Sequence, residues 1–156
     1  MEEFDNYKIL MAKLAKTFTQ DMHFIKDFKF EVVEFNEEEV VLKFLMQEKL
    51  HGNMLQGILH GGATATVLDT AGGMLAIAGT FAKQKHASIE EQLAKIAKAA
   101  TIDLRIDYLR PGRGKYFLAK AKMVRCGNKI IVIDSYLYND VDSLIARGIG
   151  TYLVDH

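Results

Sequence analysis

From Leu50 to Ala82 the chain carries one formal charge, Asp69, within the segment Gly57-Ile-Leu-His-Gly-Gly-Ala-Thr-Ala-Thr-Val-Leu-Asp-Thr-Ala-Gly-Gly-Met-Leu-Ala. A charge in so apolar a stretch has to be compensated or given up to a proton, and a carboxylate kept that way suits proton transfer or nucleophilic attack. Asp69 is therefore the candidate catalytic residue. Just upstream, Leu59-His-Gly-Gly62 places glycines at the expected start of a helix. The first N–H groups there lack intrahelical acceptors, and glycine lets a ligand atom approach them closely. Those donors and the positive helix end suit a developing oxyanion. The plainer readings are a tight packing turn for the glycines and, for Asp69, a buried carboxylate bonded to Thr66 or Thr70.

Asp69 follows Gly61 by eight residues, about 12 Å along a helix axis at 1.5 Å per residue. Two groups that far apart on one helix cannot grip one carbonyl. A second protomer's helix running antiparallel alongside brings Asp69 next to the first protomer's Gly61, so the spacing predicts a site shared across a homodimer.

The elements that must hold these groups show in the hydrophobic periods. Tyr7, Met11, Leu14 and Phe18 mark one face of an N-terminal amphipathic helix. Alternation follows: Phe28, Phe30 and Val32, then Val40, Leu42, Phe44 and Met46 after the turn at Asn36-Glu-Glu-Glu, which reads as a hairpin. Residues 61–82 read as a helix of about 33 Å, apolar nearly all round, which a sheet must enclose. Ser88-Ile-Glu-Glu91 is a capping-box pattern for a second, shorter helix with Ile89, Leu93, Ile96 and Ala100 on one face. Period two returns at Ile102, Leu104, Ile106 and Tyr108 and continues over about 115–126, 129–139 and 143–154. Turns are expected at Gly127-Asn128 and Asn139-Asp-Val-Asp142. The expected fold is α+β: a curved antiparallel sheet, its last four strands a meander, wrapped around one long helix. Its open edge predicts a homodimer, with a dimer of dimers as the larger option.

Bulk composition bounds the function. With 156 residues, 49% of them hydrophobic, the chain suits a single domain over 1–156 with a continuous core. Twenty basic against twenty acidic side chains leave no general attraction to nucleic acid or anionic membrane. The glycines, His51, His60 and Asp69 argue against a membrane span at 50–82. A lone Cys126 excludes an intrachain disulfide and reads as a structural thiol, and five scattered histidines lack metal-ligand spacing. The acidic start, Met1-Glu-Glu-Phe-Asp-Asn, lacks the pattern of a secretory signal, so a cytoplasmic setting is expected.

The string His60-Gly61-Gly62, Asp69 nine residues after the histidine, Thr70-Ala-Gly-Gly73 and the later Asp107-Tyr-Leu-Arg-Pro-Gly112 resemble the PaaI-like hotdog acyl-CoA thioesterases over about residues 28–154. The resemblance implies that Asp69 is general base or nucleophile toward a thioester and that Gly61 N–H polarises its carbonyl. By the same resemblance His60 shapes that oxyanion site, and Thr101 helps position water. Acyl-CoA is then the substrate, with no separate cofactor. Arg110, Gly112, Arg113 and Lys115, with Arg125 and Lys129 beside the turn at Gly127, form the expected anchor for the coenzyme A phosphates.

Some members place an asparagine six residues before the histidine. Position 54 here is Met54, and Asn53 stands one step away. Asn53, Met54, Gly62 and Met74 are the substrate-binding candidates, with Leu55, Ile77 and Phe81 as further pocket lining. The segment 83–98 exceeds that of the compact members and is either a lid on the acyl pocket or edge packing. The same fold also hosts acyl-CoA sensors without turnover and hydratases or dehydratases, which remain the rival readings.

Overall fold

In the computed structural model, which describes residues 2–154, helix α1 (Glu2–Lys16) runs into one π-helical turn (Thr17–Asp21) and a 3-10 turn (Lys26–Phe28). The hairpin β1 (Glu31–Phe35) and β2 (Glu39–Leu45) follows, then a small separate hairpin, β3 (His51–Asn53) and β4 (Ile58–Leu59). Helices α2 (Gly61–Lys83) and α3 (Ile89–Ile96) precede the strands β5 (Ala100–Tyr108), β6 (Tyr116–Cys126), β7 (Ile130–Asn139) and β8 (Leu144–Leu153).

The main sheet is antiparallel throughout, in the order β1-β2-β6-β7-β8-β5. Only β6, β7 and β8 form a meander. β5 does not pair with its sequence neighbour β6; it crosses to the far side of β8, and β2 takes its place beside β6. Alternation tells which face a residue occupies and nothing about which strand lies next to it, so the order was beyond reach of the period.

α2 packs against β2, β5, β6, β7 and β8, with α1 beside it. By length and composition α2 could cross a membrane, and here it is enclosed by protein instead. Val67, Leu68, Ala71, Met74, Leu75 and Ala78 turn into the core. At the β2 side Phe28 stacks on Phe30 with ring centroids 5.4 Å apart, and Phe44 meets both edge-on before stacking on Phe117. Phe28 belongs to the 3-10 turn, not to the first strand, because Lys29 adopts a left-handed conformation (φ 53°) that ends the turn.

The capping box of α3 forms as expected: Ser88 N–H donates to Glu91 Oε2 at 2.8 Å and Glu91 N–H to Ser88 Oγ at 3.2 Å. Its inner face is the expected one in part, since Ile89 and Ile96 pack against the core. Gln92 is buried, with 1% exposed, and donates from Nε2 to the Ala87 carbonyl, while Leu93 stands 43% exposed. Ala100 already belongs to β5.

The two sheet edges differ. β1 has five residues and an irregularity between Val32 and Glu34. β5 is nine residues long, regular from Asp103 to Tyr108, with Ile102 53% and Tyr108 56% exposed.

Candidate active site

Asp69 lies half-buried in the third turn of α2, where Thr101 at the start of β5 donates its hydroxyl to Asp69 Oδ1 at 3.0 Å. Across the β5–β8 ladder Thr101 faces Tyr152, whose hydroxyl lies 3.4 Å from the Asp69 backbone carbonyl oxygen. Directly opposed residues share a sheet face, so one cross-strand pair holds both the carboxylate and the backbone of Asp69. The irregularity between Thr101 and Asp103 sits beside this contact, as bulges near sites often do. Burial, and then the nearby Asp69 charge, push the Tyr152 phenol far above its usual range, so it stays a donor. Thr66 and Thr70 bond elsewhere, to the carbonyls of Gly62 and Thr66. The compensation of Asp69 therefore comes from β5, and the reading of a carboxylate tied to its own helix's threonines is overturned.

Asp69 opens into a cleft of about 480 Å³. Its floor is one stripe of α2: Thr66, Asp69, Gly73, Ala76 and Ile77. Residues three and four apart share a helix face, which lines up these positions. Phe18, Met22, Phe24 and Ile25 from the turns after α1 line it as well, together with Thr101, Leu104 and Tyr152 of β5 and β8. Segment 83–98 does not line it; α3 is edge packing.

At the start of α2, His60 is the N-cap, its Nδ1 accepting from Gly62 N–H at 2.8 Å. The neutral ring then carries its proton on Nε2. Gly62 N–H is thus consumed, and of the two glycine amides that of Gly61, which has no acceptor within the helix, is the one left to donate. Tyr108 at the end of β5 donates to the Gly61 carbonyl at 2.8 Å. Neither His60 nor Gly61 lines the Asp69 cleft of the same chain, as the axial separation requires.

Other expected residues fall in different places. Met74 and Phe81 are buried in the core and do not reach the cleft, where only Ile77 of the expected lining remains. Met54 (76% exposed) and Leu55 sit at the tip of the β3–β4 hairpin. There the Asn53 side chain accepts from the amides of Leu55 and Gln56, so its carbonyl oxygen is used in the turn. Gly112 is a packing glycine: a Cβ there would lie 2.7 Å from Leu59 Cβ.

The basic residues do not form one patch. Arg110 donates to the Leu144 carbonyl and Arg113 grips the backbone and side-chain oxygens of Gln56, both at the Gly61 end of the molecule. Arg125 and Lys129 lie across the length of β6, about 33 Å from Lys115 at 3.3 Å per residue. Cys126 is half-buried, and burial raises its thiol above the usual value, which fits a structural role. Among the described residues no three His, Cys, Asp or Glu side chains gather as a metal site requires.

Tyr152 and Tyr108, which anchor Asp69 and Gly61, escaped the sequence reading because each looked like another apolar strand position. The available signal was glycine placement: Gly72 and Gly150 both clear space for the Tyr152 ring.

The chain is similar to known proteins in both sequence and fold. Residues 56–146 match the thioesterase superfamily. The medium/long-chain acyl-CoA thioesterase YigI of Escherichia coli K12 is 36% identical over 141 residues, covering 90% of this chain and 91% of that protein. A crystal structure from Shewanella oneidensis, described as related to the thioesterase superfamily, superposes with a TM-score of 0.90 at 38% identity, covering 95% and 97% of the two chains. One from Syntrophus aciditrophicus gives 0.85 at 35% identity, covering 96% and 99%.

Proposed function

This chain belongs to the thioesterase superfamily, and from that we propose that it hydrolyses medium- or long-chain acyl-CoA with Asp69 as general base or nucleophile and Gly61 N–H as the oxyanion donor of a partner subunit. The observation that carries the reading is the Asp69–Thr101 pair at the mouth of an apolar cleft. Thr101 holds Oδ1, which leaves the other carboxylate oxygen to work. As base, it takes a proton from water while the hydroxide adds to the thioester carbonyl. The oxyanion rests on Gly61 N–H, the C–S bond breaks, and the departing thiolate receives the proton. As nucleophile, the carboxylate adds to that carbonyl itself, the C–S bond breaks and the thiolate leaves, and water then cleaves the resulting anhydride to the free acid and the Asp69 carboxylate, the released proton going to the thiolate.

The oxyanion donor sits about 12 Å along the helix from Asp69. A homodimer with antiparallel α2 helices supplies it. The long, partly apolar β5 edge is the surface on which two sheets can join, whereas β1 is short and irregular. In that arrangement the Arg110–Lys115 segment lies with the Gly61 end, so coenzyme A rests on one protomer while the acyl group enters the partner's cleft.

The test is thiol release from acyl-CoA by the purified protein, with Asp69→Asn beside it. The variant is expected to lose roughly 100-fold or more in kcat/KM while keeping its fold and assembly. Near-normal turnover in Asp69→Asn would remove the carboxylate from the mechanism. Tight acyl-CoA binding without thiol release in the unmodified protein favours a sensor. Turnover of 3-hydroxyacyl-CoA by loss or gain of water favours a dehydratase or hydratase, a reading that the engaged Nδ1 of His60 disfavours.

A further inference from the structure

Beyond its first turn α2 contains three glycines, and two of them are crowded by the chain's own side chains. A Cβ on Gly72 would lie 2.1 Å from the Tyr152 hydroxyl oxygen, and one on Gly79 would lie 2.6 Å from Met123 Cε. Gly73 is different. A Cβ there would meet only Tyr152 Cε1 at 3.8 Å, an ordinary contact. Gly73 lies inside a regular helix and is not among the glycines with positive φ, so the backbone does not call for it either. Glycine weakens a helix interior relative to alanine because it has more backbone freedom to lose. A glycine that neither conformation nor intrachain packing requires needs another reason.

Its position supplies one. Gly73 is one turn after Asp69 on the same face, and it forms part of the cleft floor. From there the floor continues through Ala76 and Ile77 with no charged or hydrogen-bonding side chain, and the apolar Phe18 and Met22 line the same cleft. What runs along this floor is apolar. From Asp69 to Ile77 is eight residues, about 12 Å along the axis, well beyond the reach of a short acyl group.

We propose that Gly73 is a specificity-determining residue: the space its missing side chain leaves is the passage for a straight acyl chain running from the Asp69 carboxylate toward Ile77, beneath Phe18 and Met22. The inference rests on the acyl-CoA reading of this cleft and adds the direction in which the chain lies and the residue that keeps its path open. A side chain at position 73 stands in the way of a long chain and not of one that ends before it.

The experiment compares Gly73→Ala and Gly73→Leu with the unmodified protein, measuring kcat/KM for butanoyl-, octanoyl- and hexadecanoyl-CoA, thermal melting and assembly size. Gly73→Ala is expected to raise the melting temperature by about 2–4 °C, because the helix gains a better former at a site with room for it. Gly73→Leu is expected to lower the hexadecanoyl-to-butanoyl ratio of kcat/KM by roughly 10-fold or more. Binding of the same acyl-CoAs to Asp69→Asn, with and without Gly73→Leu, should show the same loss of preference for the longer chain. An unchanged ratio, an equal loss for all three chains, or dissociation of the assembly overturns the proposal. Absence of thiol release from any acyl-CoA by the unmodified protein overturns the thioesterase reading instead, and the binding comparison then decides the role of Gly73 by itself.

Discussion

α2 carries two pairs of adjacent glycines, Gly61-Gly62 at its start and Gly72-Gly73 in its middle, and in each pair the two members are there for different reasons. Gly62 and Gly72 are demanded by the chain itself: a Cβ would lie 2.9 Å from the His60 ring nitrogen in the first case and 2.1 Å from the Tyr152 hydroxyl in the second. Gly61 and Gly73 are not. A Cβ on Gly61 would touch the Tyr108 ring at 3.4 Å, and one on Gly73 would touch Tyr152 at 3.8 Å. The demanded glycines let a side chain fold back against the helix; the other two are open, and in the proposed reading that room is for the substrate. Similar dipeptides thus divide into a crowded and an open member, and only the neighbours in space tell which is which.

The contrast can be broken most forcefully at Gly72. Gly72→Ala should destabilise the fold by about 2–3 kcal/mol through overpacking against Tyr152, seen in denaturant unfolding. Adding Tyr152→Phe should recover part of that loss, and no recovery would mean that the clash is not the cause. Thr101→Val leaves the glycines intact and removes the hydroxyl from Asp69. It should lower kcat/KM by roughly 10-fold, about 1.4 kcal/mol, with little change in unfolding; an unchanged rate would leave Thr101 a bystander. Gly62→Ala crowds the His60 cap and should cost about 1 kcal/mol of stability, whereas Gly61→Ala should leave stability within about 0.5 kcal/mol. Equal costs for both would erase the distinction within the first pair.

The smallest effect is expected far from both pairs, at the Tyr7 hydroxyl bond to Glu37 (2.8 Å). That bond holds the Glu37 carboxyl below its usual 4.5, and burial, then the bond and charge of Glu37, raise the Tyr7 phenol. A depressed acid contributes above its unfolded pKa and loses that contribution as pH falls through the folded value. A raised phenol contributes below its unfolded value of 10.0 and loses it on the alkaline side. Glu37 is well exposed, so Tyr7→Phe should cost no more than about 0.5 kcal/mol at pH 7. The difference should shrink as pH falls below the usual carboxylate range and through the lowered Glu37 value, which acid titration of the two melting curves checks.

Much of the fold was legible where the signal is local. The enclosed helix followed from its apolar content, and the Ser88–Glu91 box and the turn residues at Gly127-Asn128 and Asn139–Asp142 marked the boundaries on either side. What failed depended on distant contacts. On α3 Ile89 and Ile96 pack on the core as the helical period has it, but Leu93 is exposed and Gln92 is buried beside the Ala87 carbonyl. Arg110–Lys115 and Arg125–Lys129 looked like one cluster in sequence and stand at opposite ends of a strand. The cleft wall came from the turns after α1, where Phe24 is 78% exposed at the rim, and not from segment 83–98.

By itself the amino-acid order determined that one carboxylate lies in an apolar helix, that a glycine-rich helix start precedes it by about 12 Å, and that one chain cannot bring the two together. These follow from rise per residue and from the cost of burying charge, both local properties. Only the tertiary structure decided that Thr101 bonds the Asp69 carboxylate and Tyr152 its backbone carbonyl, and that Gly73 rather than Gly72 lines the cleft. Those contacts join residues 32 and 83 positions apart, and their register is set by the pairing of β5 with β8, which no local period encodes.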